Sequence, residues 1–204
     1  MKTLLIGANG QLGTDIVATW PTDDVIPLTI DDIDVTDRAR VFGLVADHKP
    51  DLVLNTSAFH NVDVCEAEPE QAFAVNAVAV KHLVDACAEH DAALLHMSTD
   101  YVFSGRDRHP YKEGEPPAPL NVYGASKAAG EMIIRAGLPQ HFIVRSSGLF
   151  GVAGAAGKGG NFVETMLRLA RDDKPITVVD DQTLSPTFTP DLAMKLLELV
   201  ESGL

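Results

Sequence analysis

The stretch Gly7-Ala8-Asn9-Gly10-Gln11-Leu12-Gly13 limits what this chain can fold into more than any other segment. It follows the short apolar run Thr3 to Ile6 and precedes Ile16, Val17 and Trp20 at helical spacing, so it is the turn between a strand and a helix. In that setting G-x-x-G-x-x-G is a spaced variant of the dinucleotide-binding fingerprint. Gly7 permits the tight turn, Gly10 lets the backbone approach a pyrophosphate, and Gly13 lets the helix pack close to the sheet. The pyrophosphate would then meet the N–H groups of Gln11 and Leu12. Backbone donors matter here because the formal net charge is −13 and no cluster of Lys or Arg offsets it. The same charge makes nucleic acid an unsuitable partner.

Downstream, strand and helix signals alternate. Val25 to Leu28 reads as a second strand, Asp37 to Asp47 as a helix with Thr36 as its N-cap, and Asp51 to Asn55 as a third strand. Pro69 opens a helix whose apolar side runs to His90, and Ala92 to Met97 is a fourth strand. A loop rich in Gly, Pro and charge covers 100–119, which at the C-terminal end of a strand suggests a site. Val122 to Arg135 is a helix, Phe142 to Arg145 a fifth strand and Gly151 to Gly160 a glycine-rich linker. Asn161 to Arg171 reads as helix, Ile176 to Val179 as a short strand and Pro190 to Val200 as a closing helix. The alternation predicts an α/β fold, a doubly wound parallel sheet of Rossmann type. Residues 1–150 would form the NAD(P)-binding domain. Residues 151–204 would form a small, incomplete C-terminal substrate lobe whose last helix returns to the first domain. Lys2 is followed by too few apolar residues for a signal peptide, and no window approaches a membrane span, so a cytoplasmic address is expected. Cys65 and Cys87 read as reduced packing residues, and the seven histidines show no metal-ligand spacing.

Tyr123 and Lys127 stand four residues apart in Tyr-Gly-Ala-Ser-Lys, which places both on one face of a helix. A nearby ammonium favours a phenolate and brings a tyrosine into range as a general acid. Ser98 and Thr99 end the fourth strand, where a polar pair also suits a turn or cap. At the end of the second strand, Thr29 stands where an acidic residue would hold an NAD ribose. Asp31 and Asp32 disfavour a 2′-phosphate and no Arg or Lys lies nearby in sequence, which tilts charge toward NADH while NADPH stays open. Asp34 and Asp37 also suit the N-terminus of a helix.

With these motifs in view the chain resembles the extended short-chain dehydrogenase/reductase family, within it the dTDP-4-dehydrorhamnose reductases. The likeness is carried by Gly7 to Gly13, Asp-Val-Thr-Asp at 34–37, Asn-Thr-Ser-Ala-Phe at 55–59, Ser-Thr-Asp-Tyr-Val-Phe at 98–103 and Val-Tyr-Gly-Ala-Ser-Lys at 122–127. Gly-Asn-Phe at 160–162 and Asp-Gln-Thr-Leu-Ser-Pro-Thr at 181–187 extend it. The resemblance implies reduction by NADPH or NADH of the C4 keto group of a nucleotide-linked 6-deoxy sugar. It implies that Thr99 fixes and polarises the carbonyl, Tyr123 protonates the alkoxide, and Lys127 lowers the Tyr123 pKa while holding the nicotinamide ribose. Asp34 and Val35 would flank the adenine, Ser57, Ala58 and Phe59 would line the cofactor groove, and His60 and Tyr101 would contact substrate.

Two features depart from the family. Ser146-Ser147-Gly148 stands where relatives often carry Thr-Ser-Trp, so Gly148 would leave an apolar wall of the sugar site missing, and the chain stops short of the family's length. Lys158, Arg168 and Arg171 are the cations expected near the substrate's diphosphate. Tyr101 occupies the place of a dehydratase's Glu, which argues against dehydration. The alternatives are a non-catalytic NAD(P)-binding protein similar to the regulatory subunit of methionine adenosyltransferase, or another nucleotide-sugar epimerase or reductase. Besides a nucleotide sugar, a second copy of the chain in a homodimer is the protein partner weighed; membrane and metal are not expected.

Overall fold

The computed structural model describes residues 1–21, 23–153 and 161–203. A five-stranded sheet runs in the order β2-β1-β3-β4-β5, from β1 (Thr3–Ile6), β2 (Val25–Leu28), β3 (Leu52–Asn55), β4 (Ala93–Thr99) and β5 (His141–Ser146). All four pairings are parallel. β1, β3 and β4 are buried along their whole length, which is why they read as continuous apolar runs rather than alternating ones. Pro27 is tolerated because β2 is an edge strand and needs no ladder donor on its outer side.

Helices cover both faces. α1 (Gln11–Thr19) and α8 (Thr189–Gly203) pack on one face through Ile16, Trp20, Ala193, Leu196 and Val200. The Trp20 indole N–H donates to the Ala193 carbonyl at 2.9 Å, tying the last helix to the first. The other face carries α2 (Arg38–His48), α5 (Ala79–Glu89) and α6 (Val122–Gly137), with Val41, Val45, Leu83, Val84 and Ile134 in its core. Fully burying one such aliphatic side chain stabilises by about 1.5–3 kcal/mol. No helix among the described residues is long and apolar enough to cross a membrane.

The structure revises several sequence expectations. Asp37, not Thr36, caps α2, because the Thr36 hydroxyl donates to Asp34 while the Asp37 side chain accepts from the Arg40 N–H. A short helix, α3 (Val62–Ala67), precedes the predicted helix from Pro69. That helix is three pieces: α4 (Pro69–Phe73), a π turn (Ala74–Val78) and α5. The stretch 176–179 is not a strand; Ile176, Val178 and Val179 are exposed, and a strand without a neighbour leaves its backbone groups unpaired. Instead β6 (Leu149–Phe150) and β7 (Thr187–Phe188) form a two-stranded pair beside α7 (Phe162–Arg171). Of the glycine-rich segment, 154–160 lies outside the described residues, and Lys158 with it.

Candidate functional site

β2 and β3 lie on opposite sides of β1, so the sheet reverses direction of winding there, and crevices at such points bind ligands above the carboxyl ends of the strands. A cavity of about 740 Å³ occupies this place. The catalytic, cofactor-binding and sugar-contacting residues expected from the sequence line it: the Gly7, Gly10, Gln11, Leu12 and Gly13 turn, Asp34 and Val35, Ser57 to His60, Thr99 and Tyr101, Tyr123, Lys127 and Gly148.

One wall is backbone. Gly7 has φ +87°, a conformation that L side chains rarely adopt, and its N–H donates to the Leu28 carbonyl at 2.9 Å. A Cβ on Gly13 would fall 2.2 Å from the Gly7 carbonyl oxygen, so the first turn of α1 lies against the loop because no side chain intervenes. Gly10 caps α1 without any side-chain hydrogen bond, and the buried Oε1 of Gln11 has no partner. Unclaimed helix N–H groups, a bare glycine approach and an orphaned amide oxygen fit the pyrophosphate and amide-bearing groups of a dinucleotide.

Beyond β2 the Asp32 carboxylate accepts from the Thr29 N–H and hydroxyl, both at 2.8 Å, which holds its pKa below the ordinary value. Arg40 donates from Nε and Nη2 to the Asp32 carbonyl. Sequence distance hid this guanidinium: the loop after β2 has a cation beside it, although Arg40 does not line the cavity. Asp34 accepts from the Thr36 N–H and hydroxyl, and these bonds lower its pKa.

The loop after β3 is clamped from the π turn. Asn76 accepts from the Phe59 N–H at 3.0 Å and donates to the Phe59 carbonyl at 2.9 Å and to Ser126 Oγ at 3.0 Å. The extra residue of a π turn re-aims a side chain, and such turns recur at functional sites. Here it joins the Ser57–Phe59 edge of the cavity to α6.

The opposite wall is made of buried polar side chains from β4, β5 and α6. The Thr99 hydroxyl donates to Asp100 Oδ1 at 3.1 Å, Ser147 Oγ donates to Asp100 Oδ2 at 2.6 Å, and Thr99 also hydrogen-bonds Tyr123. Tyr101 packs edge-on against Tyr123 with centroids 5.6 Å apart. Burial pushes the Tyr123 hydroxyl up to about 12, against the lowering effect of Thr99. Lys127 does not relieve this. Its Nζ lies 2.9 Å from His96 Nε2, and burial pulls its pKa down to about 7 even though Glu131 favours the charged form. In this cofactor-free arrangement the amine that lines the cavity is turned to His96, and Lys127 is not among the groups that act on the Tyr123 hydroxyl.

His96, Asn55, Asp100 and Ser147 were not singled out from the sequence. Nothing in the spacing of His96 marks it, since its partner is 31 residues away. Asp100, adjacent to Thr99, could have been found. Arg168 and Arg171 lie in the last turn of α7, whereas the cavity meets that helix at Phe162 in its first turn; Lys127 is the one Lys or Arg among the described lining residues. Gly148 has φ +52°, a backbone conformation that favours glycine, and a Cβ there would fall 2.6 Å from Cδ1 of the exposed Leu184 side chain, which can shift to admit it.

Fold and cavity together define a dinucleotide-binding α/β protein of the extended short-chain dehydrogenase/reductase type. The chain belongs to the family described as the RmlD substrate binding domain, whose model matches residues 1–204. It is 42% identical over 205 residues to a dTDP-4-dehydrorhamnose reductase of Mycolicibacterium smegmatis, covering 99% of this chain and 61% of that one. It is 38% identical over 203 residues to the dTDP-4-dehydrorhamnose reductase of Aggregatibacter actinomycetemcomitans, covering 98% and 67%. The crystal structure of dTDP-4-dehydrorhamnose reductase from Bacillus anthracis in complex with NADP superposes with TM-score 0.92 at 35% identity, covering 100% of this chain and 72% of that one. The chain thus spans about two thirds of the length of these curated relatives, 61% and 67%.

Proposed function

We propose that this chain carries the cofactor-binding and proton-donating part of an NADPH-dependent reductase acting in the cytoplasm on the C4 keto group of dTDP-4-dehydrorhamnose. The observation that carries it is the meeting of Thr99, Tyr123 and Lys127 with the Gly7–Gly13 turn around one cavity, in a chain so similar to reductases of that name. Residues 1–150 hold the nucleotide, and 151–204 begin the substrate lobe.

The N–H groups of Gln11 and Leu12 take the pyrophosphate, Val35 and Asp34 border the adenine, and Arg40 lends positive potential to a 2′-phosphate. The bound reduced nicotinamide supplies the hydride. Thr99 orients the C4 carbonyl, and its hydroxyl is itself positioned by Asp100, which Ser147 holds from just beyond β5. Tyr123 gives its proton to the alkoxide; a phenol held at about 12 keeps that proton until strong negative charge develops beside it. Lys127, one turn on, replaces it. His60 and Tyr101 border the sugar.

The test is NADPH consumption with dTDP-4-keto-6-deoxy-L-mannose, paired with calorimetry for NADPH and NADH. It is run on this chain and on a chimera carrying the C-terminal third of a relative. Binding with turnover in the chimera supports the proposal; failure to bind either nucleotide at millimolar concentration removes it. Binding without turnover in either form favours a non-catalytic nucleotide-binding role.

A further inference from the structure

We propose that His96 is a positioning residue for Lys127: Asn55 fixes its tautomer so that Nε2–H faces the Lys127 amine, holding that amine uncharged and drawn back from the crevice until it takes up a proton. Only the use of the poised amine in catalysis rests on the reductase reading.

The donors fix the tautomer. A backbone N–H can only donate, and that of Ser57 lies 3.0 Å from Asn55 Oδ1, with Ser57 Oγ at 2.6 Å from the same atom. The amide nitrogen of Asn55 is therefore the group that faces His96 Nδ1 at 3.0 Å, and it has hydrogens only to give. Nδ1 must accept, which leaves the ring proton on Nε2, 2.9 Å from Lys127 Nζ. An ammonium there would set donor against donor, while the neutral amine has the lone pair that Nε2–H needs. A doubly protonated imidazole would repeat the clash at Asn55, and burial holds His96 well below its ordinary pKa.

The surroundings agree. His96 and Lys127 are almost wholly enclosed. Burial lowers the Lys127 pKa to about 7, while Glu131, one turn along α6, pulls the other way. The Glu131 carboxylate is itself held by Arg145 and Ser98. Tyr123 stands one turn before Lys127, with Asp100, Tyr101 and Cys65 of α3 facing it.

Protonation then has a mechanical consequence. The ammonium loses its partner at His96 and turns toward the cavity that Lys127 also lines, where the Tyr123 hydroxyl stands. After Tyr123 has protonated the alkoxide, one N–H bond of the ammonium breaks and one O–H bond forms on the phenolate. The product is the neutral amine, which Nε2–H receives.

The test uses the cofactor-free protein with ¹⁵N-histidine and ¹³C-lysine labels, with Lys127→Met to assign the lysine signal. His96 should carry its proton on Nε2 and stay uncharged between about pH 6 and 9, a range across which ordinary histidines deprotonate, and Lys127 should titrate near neutrality. Asn55→Asp offers His96 Nδ1 an acceptor, so the ring proton should move to Nδ1 and the Lys127 pKa rise by about one unit or more. Wild-type His96 protonated on Nδ1, Lys127 charged throughout that range, or an Asn55→Asp protein with both signals unmoved overturns the proposal. If Asn55→Asp does not fold, the wild-type tautomer decides alone. Loss of NADPH binding or turnover in the assays above would leave these signals as predicted and remove only their catalytic use.

Discussion

The two walls of the cavity are built from opposite materials. The β1–α1 wall presents backbone N–H groups and glycines, with contacts made inside one short segment: Gly10 N–H to the Gly7 carbonyl at 3.0 Å, and Gly13 against that same oxygen. The β4–α6 wall, which Ser98 and Lys127 line, is backed by buried polar and ionisable side chains joined across the fold, Ser98 to Glu131 at 2.6 Å, Arg145 to Glu131 at 2.6 Å and Lys127 to His96 at 2.9 Å. A wall of dipoles binds an anion at no charge of its own, which an acidic chain requires, and it has no group to titrate. A wall of desolvated acids and bases can hold and release protons near neutral pH, and its integrity depends on each partner. Division of labour between binding and proton transfer follows from that contrast.

The largest effect that should separate the walls is in turnover. Tyr123→Phe keeps the ring packed on Tyr101 and removes the proton donor, so kcat for NADPH oxidation should fall about 10²–10⁴-fold with NADPH affinity unchanged by calorimetry. An equal loss of affinity would show that the walls are not separable.

Stability gives the next. Glu131→Gln leaves the Arg145 guanidinium, only 13% exposed, without its carboxylate, and should lower unfolding free energy in urea by about 3–5 kcal/mol. Burial pushes the Glu131 pKa up, but Arg145 and Ser98 outweigh it and hold it below the ordinary value. The pair's contribution is therefore present above the unfolded carboxyl's pKa and is lost as pH falls through the folded one. The variant should lose less stability than wild type on acidification.

Lys127→Met probes the same wall through pH. With a folded pKa of about 7 against an ordinary 10.5, the unfolded chain binds a proton that the folded chain lacks across that interval. Wild-type stability should thus rise with pH between those values, by at most about 1.4 kcal/mol per unit from this residue, and be flat from it below pH 7. Lys127→Met should remove that slope in thermal melts taken across the interval.

The smallest effect belongs to the backbone wall. A Cβ at Gly10 meets only the Gly7 carbonyl, at 3.2 Å, so Gly10→Val should keep the fold while its γ-carbons crowd the pyrophosphate position. NADPH affinity should drop by about tenfold, ~1.4 kcal/mol, with the melting temperature nearly unchanged.

The same contrast explains what could be read from the sequence. The glycine turn, β1 and β2 are local patterns, and the structure has both strands at the expected residues. Tyr123 and Lys127 are legible because four residues is a helical neighbour distance. The polar partners are not, since register alone brings Asn55 beside His96 and Ser98 beside Arg145. Short elements failed for another reason: α3 has six residues, too few for a period to show, although Asn61 capping the Val64 N–H was a signal. The π turn is invisible to a 3.6-residue pattern, and Asn76 in an apolar stretch was its trace. The apolar alternation at 176–179 misled because periodicity reports a face and says nothing of whether another strand is there to pair with it.

The central claim is that this cavity delivers hydride to a sugar carbonyl and a proton from Tyr123 to its oxygen. The most direct measurement is mass spectrometry of product formed from dTDP-4-keto-6-deoxy-L-mannose with NADPH carrying deuterium at both positions of the nicotinamide C4, using the chimera with the C-terminal third of a relative and its Tyr123→Phe form. The account predicts one deuterium at C4 of the sugar with Tyr123 present and almost none in the same time with Phe. Unlabelled reduced product, or equal labelling with and without the Tyr123 hydroxyl, would contradict it.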